Sequence, residues 1–399
     1  MIWARPLSCD GALEPAMAAR VGLSQSESLT ARRSLERVAL LTGLDEEARA
    51  VLARALGQRW LGGPTDAGLA RVSVDAFDEW APGLARDPRL LDAFRRFLAL
   101  EAPPPAATIG PRRFEWKTRT FVMGVVNVTP DSFSDGGRFS TTEAAADHGE
   151  ALVQAGADLL DIGGESTRPG AAPVGLEEEL NRVVPVVAAL ARRLPLVPLS
   201  VDTSKPEVAR RAVEAGAHLI NDVTGLQSEE MLRLVAELKV FACAMHMQGT
   251  PRTMQRDPVY DDVVAQVLDG LEATLIRAEA AGVERHRVLV DPGIGFGKTV
   301  EHNLFLLKHM AALRLLGAPV LLGSSRKSFL GVLTGGKPPE ARDVATSASV
   351  AAVAITRGAD VVRVHDVAST RDAVAVADAI AQAIGGGRRF EIDQGRTRP

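Results

Sequence analysis

From Arg119 to Ile384 the chain alternates short apolar runs of β character with amphipathic helical stretches, and no other feature limits its fold so severely. The strand-like runs are Phe121–Val128, Asp158–Gly163, Pro198–Asp202, His218–Val223, Val240–His246, Arg287–Asp291, Pro319–Ser324 and Val361–Val364. Helical patterns lie between them at Thr142–Ala155, Glu177–Arg193, Pro206–Ala215, Ser228–Leu238, Val259–Ala281, Val300–Met310 and Arg342–Arg357, with Thr370–Ile384 last. Eight strand–helix pairs in about 270 residues predict a (β/α)8 barrel, for which ~250 residues is typical. The rival α/β arrangement, a doubly wound open sheet, carries a glycine-rich turn after its first strand. Here that strand runs into Asn127-Val128-Thr129-Pro130 instead.

The part before the repeat is different in kind. Residues 1–113 contain no lysine, histidine or tyrosine, and 15 arginines stand against 14 acidic residues. Helical patterns at about Asp45–Leu56 and Pro88–Leu100, with strand-like runs at Val38–Leu41 and Arg71–Val74, predict a small α+β domain over 1–100. Glu101-Ala102-Pro103-Pro104-Pro105-Ala106-Ala107 opens a Pro/Ala-rich linker, taken as 101–113. The barrel then occupies 114–387, and 388–399 form a tail.

Composition excludes several classes. Of 399 residues 46% are hydrophobic and 24% charged, so the chain is neither disordered nor fibrous. A net charge of −4 gives no reason to expect nucleic acid or an anionic membrane as partner. Two cysteines, Cys9 and Cys243, make no disulfide framework, and the opening MIWARPLSCD has no signal-peptide core. A cytoplasmic protein is expected.

In a barrel the chemistry gathers at the C-terminal ends of the strands. Those ends read Asn127; Asp161 with Glu165, Thr167 and Arg168; Asp202; Asn221 with Asp222; His246; Asp291; Ser325-Arg326-Lys327; and Arg363 with His365. One such residue is an ordinary rim polar group, but eight in succession, each directly after an apolar run, form a site. Asp202, Asn221 and Asp291 supply acceptors for an amino group or a ring N–H, Asn221 also donates, and Lys327 donates to ring acceptors. A flat heterocycle with alternating donors and acceptors matches that set. Arg168, Lys327, Arg363 and His365 suit an anionic group, arginine through bidentate contacts. The stretch Gly293-Ile294-Gly295-Phe296-Gly297-Lys298 allows close backbone approach, which in a loop after a strand is more often only a turn. Cys243 is expected as a small buried apolar residue, and Lys298 and His302 as solvated ones. His246 and Asp161 stay open between structural and functional roles. No serine or cysteine sits in a nucleophile–base arrangement.

The order of motifs is specific. Met123-Gly124-Val125-Val126-Asn127-Val128-Thr129-Pro130-Asp131-Ser132-Phe133-Ser134-Asp135-Gly136-Gly137 resembles the first signature of the dihydropteroate synthases, and Asp161-Ile162-Gly163-Gly164-Glu165-Ser166-Thr167-Arg168-Pro169-Gly170 the second. Ser200–Thr203, Asn221–Gly225, Met245–Pro251, Asp291–Lys298, Ser325–Gly331 and Arg363–Asp366 complete the series in order. The likeness spans about 119–384 and leaves residues 1–113 outside it.

The resemblance implies condensation of 7,8-dihydropterin-6-ylmethyl diphosphate with p-aminobenzoate to 7,8-dihydropteroate and pyrophosphate, and a target for sulfonamides. It assigns the pterin to Asp202, Asn221, Asp291, Lys327 and Arg363. The pyrophosphate falls to Asn127, Arg363 and His365, and the aminobenzoate to Thr167, Arg168, Phe296 and Ser325. Catalytic roles go to Asp135, Lys327, Arg363 and His365. Mg²⁺ is the implied cofactor, held at Asn127 with Asp135 as a further candidate. The expected partners are these two small molecules and a second copy of the chain in a homodimer, with no nucleic acid or membrane. Two other readings remain: a methyltetrahydrofolate-binding methyltransferase barrel, which has no need of an anion set such as Thr167-Arg168 and Ser325-Arg326-Lys327, and a non-catalytic pterin-binding paralogue.

Overall fold

Eight parallel strands close on themselves. In this computed structural model, which describes residues 1–6, 37–57, 60–62, 66–72, 77–99, 103–128, 138–166, 173–250 and 253–382, a four-stranded antiparallel sheet precedes the barrel. Its strands β1 (Trp3–Pro6), β2 (Arg37–Thr42), β3 (Trp60–Gly62) and β4 (Gly68–Val72) lie in the order β1-β2-β4-β3. The helices Glu46–Leu56, Phe77–Leu84 and Pro88–Leu98 accompany it. Asp45 and Asp87 cap the first and third by accepting from Ala48 N and Arg89 N. The sequence reading finds these two helices and β2. It misses β1, β3 and Phe77–Leu84, whose helix contains Pro82.

The sheet is not separate from the barrel. Trp3 Nε1 donates to Asp269 Oδ1 at 3.0 Å, and Arg96 pairs with the buried Glu272 at 3.1 Å. Both carboxylates lie on the barrel helix Val263–Ala280. Apolar residues of both parts form one continuous core.

The expected linker 101–113 needs correction. Strands β5 (Ala107–Ile109) and β6 (Arg112–Phe114) pair as an antiparallel hairpin that takes up its second half and runs one residue past its end. Ile109, Phe114 and Trp116 are buried against Phe121, Leu159, Leu219, Phe241, Leu289, Leu321 and Val361. Those residues lie at or near the N-terminal ends of the barrel strands, so the hairpin plugs the barrel's lower end. Arg112 and Arg119 close it by pairing with the buried Asp158 at 2.8 and 2.7 Å.

The barrel strands are β7 (Phe121–Asn127), β8 (Leu159–Gly163), β9 (Leu199–Asp202), β10 (Leu219–Asp222), β11 (Phe241–Met245), β12 (Val288–Asp291), β13 (Leu321–Leu322) and β14 (Val361–Val364). Each sequence-predicted run contains one of them. Pairing proceeds in parallel from β7 round to β12 and from β7 back through β14 to β13. A Val290–Val320 bridge, with Val290 N donating to Pro319 O at 2.8 Å, joins β12 to β13 and closes the ring. The helices coincide with the predicted stretches to within a few residues. Ser328–Leu333 and the 3-10 turn Met310–Leu316 are additional. No described helix is long and apolar enough to cross a membrane.

Candidate active site

Strand geometry builds the site in layers. Side chains alternate between the two faces of a strand, so residues two apart share the barrel interior. Leu159 is followed by Asp161, Leu219 by Asn221, Leu289 by Asp291, and Val361 by Arg363. The interior therefore changes from an apolar floor to a polar mouth over two residues, about one pleat.

Asp161 is the hub of that polar layer. It is 0% exposed. Its Oδ2 accepts from Arg363 Nε at 2.6 Å and Asn221 Nδ2 at 2.9 Å, and its Oδ1 accepts from Ser200 Oγ at 2.6 Å. Arg363 also donates to Asp202 Oδ2 at 2.7 Å. The guanidinium is thus fixed on two edges by two carboxylates, and its flat face remains for stacking. Burial opposes its charge, but Asp161 and Asp202 hold its pKa above the ordinary arginine value. Asn221 commits one amide N–H to Asp161, which leaves its carbonyl oxygen and its second N–H for a ligand.

Asp202 and Asp291 are poised differently. Burial pushes Asp202 up to about 7, Arg363 opposing and Asp161 reinforcing the shift. Asp291 is also raised by burial, against the pull of the Gly293 N–H and then Lys327. Its Oδ1 accepts from Gly293 N at 2.7 Å, and among the described residues none donates to its Oδ2. A buried carboxylate with one oxygen fixed and the other unpaired is an acceptor waiting for a donor.

Lys327 follows β13 and lies over Phe296, its Nζ 3.9 Å from the ring centroid. Arg326, between Ser325 and Lys327 in sequence, instead turns its guanidinium to Asp343 at 2.8 Å. Ser325 and His365 are partners: His365 N donates to Ser325 Oγ at 3.2 Å, and Oγ lies 2.9 Å from His365 Nδ1. The Ser325 hydroxyl thus ties the backbone and the ring of His365 together and fixes the ring's orientation at the mouth. Asn127 ends β7, beside Gly163 in register.

Asp135, Thr167 and Arg168 lie outside the described residues. The base of the second loop is described. Glu165 accepts from Val174 N at 3.2 Å and from Lys205 Nζ at 2.5 Å, and Lys205 also pairs with the buried Glu179. That tie joins two successive βα units and has no signature in the local sequence.

Several sequence readings change. Asp222 spends its carboxylate on Thr224 and Leu226, a turn function. Cys243 is buried as expected, and burial pushes its thiol well above the ordinary value. Lys298 is not solvated: it is 3% exposed, and its Nζ donates to Phe296 O at 2.9 Å. His302 reaches back to Thr299 in a capping box. The glycines after β12 meet the protein itself, since a Cβ at 293 would lie 1.9 Å from His246 O and one at 297 would lie 2.7 Å from Gln248 O. The only sequence signal of that approach is the glycine spacing.

A closed (β/α)8 barrel whose mouth holds buried carboxylates, an amide, a lysine and an arginine around one apolar wall defines a class: an enzyme for a flat, polar ring. Residues 123–365 match the family described as "Pterin binding enzyme". Dihydropteroate synthase of Escherichia coli strain K12 is 48% identical over 240 residues, 60% of this chain and 84% of that one. A solved dihydropteroate synthase of Xanthomonas albilineans with 4-aminobenzoic acid is 50% identical, with a TM-score of 0.65 over 70% of this chain and 100% of that one. The Yersinia pestis dihydropteroate synthase in complex with a sulfonamide drug is 45% identical at the same TM-score and coverage. The chain belongs to the pterin-binding enzymes and, within them, to the dihydropteroate synthase family.

Proposed function

We propose that this chain joins 7,8-dihydropterin-6-ylmethyl diphosphate to p-aminobenzoate, releasing pyrophosphate and forming 7,8-dihydropteroate for folate biosynthesis. The observation that carries the assignment is Asp291, buried at the mouth with its Oδ2 unpaired among the described residues. It accepts from the exocyclic amine and a ring N–H of the pterin. Asn221 adds its carbonyl oxygen, Asp202 a group near its titration point, and Lys327 a donor to the ring's acceptors. Arg363 presents its flat face to the ring.

The reaction breaks the C–O bond, the electron pair leaving with the diphosphate. The electron-rich dihydropterin delocalises the cation at the departing carbon, so no protein nucleophile is needed. The neutral arylamine attacks through its nitrogen lone pair and then loses a proton. His365 and the outer edge of Arg363 steady the charge growing on the leaving group. Thr167, Arg168, Phe296 and Ser325 form the aminobenzoate side, where a sulfonamide competes, and Asp135 acts on the loop after β7.

Mg²⁺ fits as an ion carried by the diphosphate. The Asn127 side-chain oxygen is a hard donor suited to it, with Asp135 as a second, whereas no described group of three His, Cys, Asp or Glu residues would cage a cation alone. When bound, the ion neutralises diphosphate charge. The enzyme is assigned to the cytoplasm and to a homodimer. The exposed Val344 and Ile355 on helix Asp343–Ile355, beside Val376 and Ile380 on helix Val367–Gln382, support a covered apolar face. Pyrophosphate release on mixing the two substrates, with and without p-aminobenzoate and Mg²⁺, tests the function. Absence of release from the complete mixture rejects it.

A further inference from the structure

The loop between β12 and the next helix is pressed against the segment after β11. The close approaches at 293 and 297 fix one side of it. Tyr260 Oη donates to Gly297 O at 2.9 Å, Gln255 Nε2 to Gly295 O at 2.8 Å, and Gly295 N to Asn303 Oδ1 at 2.7 Å. At the centre lies Lys298, whose ammonium has three acceptors: Phe296 O at 2.9 Å, His246 Nδ1 at 3.2 Å and His246 O at 3.3 Å.

A buried ammonium is costly to keep, and an apolar side chain of similar volume is often at least as stable. What a hydrocarbon cannot do is join the end of β11 to the backbone oxygen of Phe296. That residue's ring lies on Lys327 Nζ, so whatever fixes residue 296 fixes the wall of the site. All three protons of Lys298 are spent inside the protein. Resting on the function proposed above, we propose that Lys298 and His246 are positioning residues that hold Phe296 against Lys327 and so set the p-aminobenzoate side of the pocket.

The electrostatics agree with that geometry at His246, while burial makes the Lys298 ammonium the form held below about pH 7. To receive a proton from the ammonium, His246 must present a lone pair at Nδ1, which puts its own proton on Nε2. Burial, then Lys298, lowers His246 to about 3, keeping the ring neutral. Burial also lowers Lys298 to about 7, with Asp291 opposing and Lys327 reinforcing. The Tyr260 ring lies 5.9 Å from Lys298 Nζ, and His302 packs edge-on against that tyrosine.

The test varies p-aminobenzoate at saturating dihydropterin diphosphate for Lys298→Met, His246→Leu and His246→Asn, with calorimetry of pterin binding alongside. Lys298→Met and His246→Leu are expected to raise KM for p-aminobenzoate about tenfold or more, with kcat and pterin affinity within about threefold of wild type. His246→Asn, whose Oδ1 can replace Nδ1 as acceptor, is expected to keep KM within about threefold. An unchanged KM in folded Lys298→Met, or an equal loss of pterin affinity, overturns the proposal. If Lys298→Met does not fold, the two His246 variants decide it, because equal KM values for Leu and Asn also overturn it. Wild type that forms no dihydropteroate would reject the function itself, whereas normal wild-type turnover with unmoved variants rejects only the clamp.

Discussion

Two buried carboxylates in one site should fail in opposite ways. Asp161 works for the protein: three donors, Ser200, Asn221 and Arg363, converge on it. Truncating it to alanine strips those donors of a partner and leaves Arg363 with Asp202 alone. Breaking a buried charge pair by removing one member costs about 3–5 kcal/mol. For a unit of this size each kcal/mol lowers the melting temperature by roughly 2–4 °C. Asp161→Ala is therefore expected to melt about 6–20 °C below wild type.

Asp291 works for the ligand. Its one described bond within the chain is to Gly293 N, and burial already disfavours its charge. Losing it orphans one N–H and relieves a desolvated carboxylate, so Asp291→Ala should keep its stability within about 1 kcal/mol. Pterin binding should suffer instead. Two ring donors left unpaired in a closed pocket cost on the order of 2–5 kcal/mol, or roughly 30-fold to a few thousand-fold in Kd. Differential scanning calorimetry and titration calorimetry of both variants separate the two effects. A melting temperature for Asp161→Ala within a degree of wild type, or an unchanged pterin Kd for Asp291→Ala, would refute this division of labour.

Neutralising His365, as His365→Ala, is expected to lower kcat by about 10²–10³-fold, because leaving-group charge grows in the transition state. Equal loss of affinity for a pterin lacking the diphosphate would move the residue to the ring. Stability should rise with pH between 7 and 9: Lys298 titrates near 7 when folded and at its ordinary 10.5 when unfolded, so the unfolded chain holds more protons in that window. The Lys298 contribution to the slope, at most ~1.4 kcal/mol per pH unit, should be lost in Lys298→Met. Urea unfolding at several pH values reads it, and an unaltered slope would assign it elsewhere. Deleting residues 1–102 is expected to spare pterin and p-aminobenzoate affinities while promoting association, because the face that covers Val263–Ala280 is lost. Starting the chain at Arg112 instead removes β5 and unplugs the barrel floor, which should abolish folding. Gel filtration and circular dichroism of both truncations would expose an error in either statement.

The difference between those truncations shows where the sequence is readable. Barrel strands and helices are legible because each repeats its period over many residues and each faces one environment. Hairpin β5–β6 is not, since two three-residue strands carry too little alternation and the prolines ahead of them mimic a linker. The same limit applies to single residues. Strand ends mark Asp202, Asn221, Asp291 and Arg363 because polar groups after apolar runs stand out. Asp161, two residues short of the end of β8, keeps the parity of Leu159 and so belongs inside, yet its three partners come from strands 39, 60 and 202 residues further on. Lys298 misleads for the converse reason. A charge at a helix start is ordinarily solvated, and what buries this one is a histidine 52 residues earlier. Local pattern specifies which residues reach the mouth of the barrel. Which of them face the ligand and which face one another is decided by closure of the ring, a property of all eight strands and of none separately.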